Sequence, residues 1–310
     1  MTKRIENVEN PEIIARSEAT GILPTRSGKG KPITVIGTQA IRDGFDATCL
    51  QQALNARDAP GVSELVINPD AHAGYGAPVG CVLVSPTHVY PGPVGVDVKC
   101  SMSLLQLDLP NEDVDERRTR RALINAVGER IPTGAGKGSR HVPKGRIVEE
   151  TLGEQVAIEG ASESVCQALG IPTEWATRCE DSFHLGHDDT RDALGSRLQK
   201  LQETGMFRKF VQKVQQLGSY GGGNHFGECE AVHVDDNPKA RETAETFGLK
   251  DGNVAFLSHC GSRGFGFNLA KNQFRVLGEK FDAWDIPLPG NDRELVYAPL
   301  GSPEANDYLD

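Results

Sequence analysis

Residues 68–102 read NPDAHAGYGAPVGCVLVSPTHVYPGPVGVDVKCSM, and the rest of the chain is organised around them. Asp70-Ala71-His72 opens the stretch as a turn, and Val96-Asp97-Val98-Lys99-Cys100 closes it. Between them Val79–Ser85 (VGCVLVS) is apolar and β-branched, which predicts a buried strand with polar chemistry at both ends. Gly74, Gly76, Gly80, Gly92 and Gly95 are expected to supply tight turns and to let the backbone approach a ligand. Asp97 and Cys100, three residues apart, can bring a carboxylate and a thiolate onto one metal ion.

Working outward, Ile33–Gly37 and Glu64–Asn68 read as short strands with a helix between them at Ala47–Ala56. Ser103–Leu109 alternates like a strand leaving the organising stretch. Asn111–Arg130 reads as one helix capped by Asn111 or Asp113. Its arginines form a solvated face, with RNA contact as the alternative. Further helices are expected at Glu149–Leu169, Arg191–Leu217 and Asn237–Phe247. Residues 1–32 are polar and read as a flexible N-terminal segment. The expected fold class is α+β, with mixed β-sheets layered with helices in one catalytic domain over residues 1–310.

The chain has 310 residues and a net charge of −10, which argues against nucleic-acid binding through overall basicity but leaves room for a local basic groove. Its seven cysteines lack CxxC spacing and read as thiols rather than a disulfide framework. There is no apolar run near the length of a membrane span and no signal-peptide core at the start, so a cytoplasmic protein without a membrane partner is expected.

Two later stretches carry chemistry. Gly218–Glu230 (GSYGGGNHFGECE) is a glycine turn that hands Asn224 and His225 to a cavity. Asn253–Phe267 (NVAFLSHCGSRGFGF) is an apolar strand ending at His259, followed by a Gly/Ser/Arg turn suited to anions. Asp97, Cys100, His225 and His259 together offer carboxylate, thiolate and imidazole donors. On ligand chemistry alone zinc comes first, with manganese, iron or cobalt also permitted. The plainer alternative is a set of buried, satisfied polar side chains without metal. Ile131–Arg146 (IPTGAGKGSRHVPKGR) places Lys137 and Arg140 in a cationic loop that could cradle phosphate or simply cover surface. His184, His187, Asp188 and Asp189 read as an exposed loop outside the site.

In order along the chain, PDAHAGYGAPVG, PGPVGVDVKC, GSYGGGNHFGECE and SHCGSRGFG resemble motifs of the RtcB family of RNA-splicing ligases. IPTGAGKG and the terminal LGSPEANDYLD resemble further family segments, so the likeness runs from about Ile33 to residue 310. The resemblance implies a GTP- and Mn²⁺-dependent RNA ligase that joins 3′-phosphate or 2′,3′-cyclic-phosphate ends to 5′-hydroxyl ends, as in tRNA splicing and RNA repair. Carried onto this chain, it has Cys100 bridging two manganese ions, His225 on one, and Asp97 and His259 on the other. It puts Asn224, beside Gly223 and His225, at the guanine nucleotide, and Lys137, Arg140 and Arg263 near RNA or triphosphate. A further histidine ligand and the guanylylated histidine nucleophile are expected beyond Asp310. The chain departs from the family at Ser101, Lys99 and Phe267; Lys99 could lower the pKa of Cys100 or point into solvent. Alternative readings are a metal-dependent RNA-end phosphoesterase and a non-catalytic RNA- or nucleotide-binding fragment.

Overall fold

The computed structural model describes residues 11–28, 30–131, 149–178, 188–203, 205, 207, 209–217, 219–284 and 286–309. The fold is α+β, with mixed sheets and helices. Its described residues fall into two compact units, one drawn from 1–96 and 270–310 and the other from 97–269.

The first unit is built on a five-stranded sheet ordered β1-β2-β3-β4-β5. Its strands are Ile14–Ala15 (β1), Thr20–Leu23 (β2), Ile33–Ile36 (β3), Glu64–His72 (β4) and Val79–Val84 (β5). β3 and β4 run parallel and the other pairs antiparallel. Alternation in β3 sends Ile33 and Val35 fully inward, and Leu65 and Ile67 of β4 do the same. The helix Ala47–Arg57 lies between these strands in sequence and buries Cys49, Leu50, Ala53, Leu54 and Ala56 into the same core. It starts at Asp46, whose carboxylate accepts from the Cys49 N–H at 2.9 Å and so satisfies one orphan donor of the first turn. A short ribbon pairs His88–Val89 (β6) with Ala298–Pro299, and the helix Pro303–Leu309 follows it.

Two expectations about the organising stretch change here. Asp70–His72 is not a turn but the end of β4, where pairing with β5 slips between Ile67 and His72. Pro69 falls in that irregularity, where no ladder hydrogen bond is needed from it. β5 is not buried either. It is the edge of the sheet, and Val79, Val82 and Val84 are 40–51% exposed, while Cys81 and Leu83 on its other face pack on the core. Several of the glycines serve packing rather than ligand approach. The Gln52 side chain donates to the Gly74 carbonyl (2.8 Å) and accepts from its N–H (2.9 Å), and Glu294 accepts from the Gly76 N–H (2.9 Å). A Cβ on Gly92 would lie 1.9 Å from the Glu294 carbonyl oxygen.

The second unit contains a three-stranded antiparallel sheet of Ser101–Pro110 (β7), Phe226–Ala231 (β8) and Asn253–Cys260 (β9), with β9 in the middle. Its helical part closes around Leu198, Phe207, Phe210 and Val214, joined by Ile158, Phe265 and Leu269. The expected long helices are broken. Asn111–Val114 is a separate 3₁₀ turn, and Arg117–Arg130 starts after Glu116 without a side-chain cap, so neither Asn111 nor Asp113 caps it. Glu150–Glu159 and Glu163–Leu169 are parted at Gly160 (φ 62°), and Ser162 caps the second. Asp188–Glu203 and Phe210–Val214 likewise replace one continuous helix. The helix Arg263–Trp284, which sequence reading did not anticipate, begins in this unit and continues into the residues of the first. No helix among the described residues is long and apolar enough to cross a membrane.

Gly92→Ala is expected to destabilise the protein by about 1–3 kcal/mol, because the clash is with backbone that cannot swing away. Asp46→Ala should cost about 1 kcal/mol through the lost cap. Denaturant unfolding followed by circular dichroism checks both, and an unchanged midpoint for Gly92→Ala would contradict the packing described.

Candidate metal centre

The register of the three-stranded sheet explains why the donors meet. Met102 and Phe226 both stand opposite His259 on the central strand, and Ser101 stands opposite Cys260. Cys100 and His225 each immediately precede a strand that starts beside the last residues of β9. Cys100 has the parity of Met102, hence of the His259 face, and its Sγ lies 3.0 Å from His259 Nε2. His225 Nε2 is 3.7 Å from the same sulphur and 2.6 Å from Asp97 Oδ2. One donor atom from each of Asp97, Cys100 and His225 lies within 4.8 Å of the others.

Asp97 is held from its far side. Its Oδ1 accepts from the Arg263 N–H (3.1 Å) and the Ser262 hydroxyl (3.3 Å), leaving Oδ2 to face the cluster. Gly261 makes room for it, since a Cβ there would sit 2.3 Å from Oδ2. His225, with a side chain only 6% exposed, uses Nδ1 to reach the Tyr220 carbonyl at 2.8 Å. That carbonyl can only accept, so Nδ1 carries a hydrogen. A neutral His225 would then turn the lone pair of Nε2 onto a carboxylate oxygen 2.6 Å away. Two acceptors at that distance require a proton or a cation between them. A histidine anchored through one nitrogen to a backbone carbonyl, with the other nitrogen beside carboxylate and thiol, is the arrangement of a metal ligand. The donor set therefore fits a metal.

The Cys100 thiol is pushed up to about 11, first by desolvation of the sulphur, then by the hydrogen bond and charge of Asp97, and last by Cys260. The expectation that neighbouring Lys99 might lower it is not met. Lys99 is exposed with a left-handed backbone (φ 62°), and the groups that act on the sulphur favour the protonated form.

The other candidates separate. Asn224 is exposed beside Gly223 at the mouth of the glycine turn. Arg263 is half-buried, with Nε 3.4 Å from Ser219 Oγ, and burial lowers its pKa while Asp97 opposes that shift. Lys137 and Arg140 lie outside the described residues, as do His184 and His187. Asp188 and Asp189 open the helix Asp188–Glu203. Sequence reading missed Tyr220 and Ser262 as supports; the only signal was their place beside the two glycine turns.

Residues 52–310 match the family model described as tRNA-splicing ligase RtcB. The chain belongs to the RtcB family. It is 33% identical over 269 residues to the tRNA-splicing ligase RtcB of Archaeoglobus fulgidus, covering 86% of this chain and 51% of that protein. The tRNA-splicing ligase RtcB of Thermococcus kodakarensis is 31% identical over 84% of this chain and 50% of its own length. The RNA-splicing ligase RtcB of Mycobacterium bovis is 31% identical over 83% of this chain and 56% of its own length. The chain thus spans about half the length of these RtcB relatives.

Because a metal takes the thiolate and displaces its proton, affinity should rise with pH by about tenfold per unit below the thiol pKa. Divalent-ion titrations at pH 6, 7 and 8 measure this slope; an affinity flat with pH would remove Cys100 from the ligand set.

Proposed function

We propose that this chain is the metal-holding portion of a GTP- and Mn²⁺-dependent RNA ligase acting in the cytoplasm on broken or spliced RNA, tRNA halves included. The reaction joins a 3′-phosphate or 2′,3′-cyclic-phosphate end to a 5′-hydroxyl end. The observation that carries this reading is the carboxylate–thiol–imidazole cluster of Asp97, Cys100 and His225, with His259 against the thiol, in a chain of the RtcB family. The names of the relatives, tRNA- and RNA-splicing ligases, support the substrate class.

In this reading Asp97, Cys100 and His225, which converge, would hold one manganese ion, and Cys100 with His259 would contribute to a second. When bound, such ions neutralise phosphate charge and orient the reacting oxygens. The residues of the chain do the positioning. Tyr220 holds His225 in one tautomer, while Ser262 and the Arg263 N–H hold Asp97. Asn224 and Gly223, exposed at the turn, contact the guanine nucleotide. Lys137 and Arg140 contact RNA or triphosphate, and the histidine that receives the guanylyl group is not one of residues 1–310.

Purified chain titrated with Mn²⁺ is expected to take up two ions and, once loaded, to bind GTP, yet to show no covalent label from α-labelled GTP on a denaturing gel. Failure to bind Mn²⁺ would sink the reading, and a label on this chain would place the nucleophile within it. Cys100→Ala should abolish uptake of both ions, whereas Asp97→Ala should spare one. Equal losses in a stoichiometry measurement would refute the bridging role of the thiolate.

A further inference from the structure

We propose that the Tyr220 hydroxyl is a positioning group for the metal cluster: by bonding to Ser258 on β9, it ties the glycine turn that orients His225 to the strand that carries His259. The inference rests on the metal reading above and adds a side chain that lies outside the donor set.

Between Tyr220 and His225 the chain has little of its own to hold it. Gly221 and Gly223 adopt left-handed backbone (φ 73° and 82°), and residues 222–224 are exposed. A run of three glycines keeps one shape only where its ends are fixed. The far end is fixed by β8, which begins at Phe226. The near end is fixed by Tyr220, 7% exposed, whose Oη donates to Ser258 Oγ at 2.7 Å. Ser258 immediately precedes His259, and strand alternation puts it on the face of β9 opposite the cluster. Its register partners are Ser103 and Gly227, and Gly227 has no side chain to stand between the tyrosine ring and the strand.

The two ends of Tyr220 therefore act on two ligands. Its carbonyl accepts from His225 Nδ1 at 2.8 Å, and its hydroxyl grips the residue before His259. The imidazoles joined in this way have ring centroids 5.6 Å apart. In the two-ion reading they serve different ions, so the tether sets the spacing of the two sites across Cys100. Burial alone would be served by phenylalanine. The hydroxyl adds direction, because a hydrogen bond to Ser258 is made only at one placement of the turn against the strand.

The test uses the 310-residue chain with Co²⁺ alone as the probe, reading affinity by titration and the ligand field by visible absorption. Wild type, Tyr220→Phe, Ser258→Ala and the double variant are compared, with far-UV circular dichroism to establish folding. Tyr220→Phe and Ser258→Ala should each weaken Co²⁺ binding by about tenfold, the scale of one hydrogen bond behind a ligand. Both should also shift the thiolate-to-cobalt and d–d bands, which loss of stability alone would not do. The double variant should bind no more weakly than the weaker single one, because both remove the same bond. Wild-type affinity and spectrum in Tyr220→Phe overturn the tether, as do unshifted bands in a weakened Tyr220→Phe or losses that add in the double variant. Should Ser258→Ala not fold, Tyr220→Phe decides, since it keeps the ring. A wild-type chain that binds no cobalt overturns the metal reading and the tether with it, whereas a cobalt-binding wild type with an unchanged Tyr220→Phe overturns the tether alone.

Discussion

The pairing of β9 with both of its neighbours at one end of the sheet is the constraint on which the centre depends. Side chains on a strand alternate with period two, so a slip of one residue between β7 and β9 would send His259 to the face opposite Cys100. The register is set along the whole ladder, from Gln106 opposite Ala255 to Ser101 opposite Cys260. β9 carries the buried Val254 and Ala255 at one end and His259 at the other. Core packing and the position of a metal donor are thus two ends of one strand.

Within the cluster, electrostatics sets a conflict that a cation resolves. Asp97 Oδ2, the Cys100 sulphur and the Nε2 atoms of two histidines converge, and in their deprotonated forms all are acceptors. Without a cation, protons must occupy the gaps, consistent with a thiol raised to about 11. A metal that binds these donors displaces the proton of the thiol. The supports on the outer side of Asp97 and His225 are all hydrogen-bond partners that keep their roles in either state.

Much of this was legible in the sequence because the donors sit where strands meet glycine turns. That pattern names Asp97, Cys100, His225 and His259, and the helices expected at Ala47–Ala56 and Asn237–Phe247 lie within a residue of the observed Ala47–Arg57 and Pro238–Phe247. What was not legible depends on tertiary context. VGCVLVS reads as buried because composition does not reveal which strand lies at an edge. The Arg263–Trp284 helix was hidden because RGFGF carries two glycines in its first turn. Those glycines follow from packing: a Cβ on Gly264 would strike the Lys213 and Gln216 side chains, and one on Gly266 the Ser262 hydroxyl.

A net charge of −10 opposes long-range attraction to a polyanion, and the proposed metal centre would reconcile it with an RNA substrate. Long-range attraction to RNA requires a basic surface, but that attraction is screened within about 10 Å at ordinary ionic strength. At the reacting ends only local charge counts. In the proposed reading, two divalent cations against one thiolate and one carboxylate leave the centre cationic. An acidic body then discourages indiscriminate binding along an RNA, and the phosphate-bearing end is recognised where metal charge is concentrated. On this argument affinity resides at the end of the substrate more than along its length. In the proposed reading, selection of broken RNA over intact RNA would then follow from metal charge at the site and not from sequence.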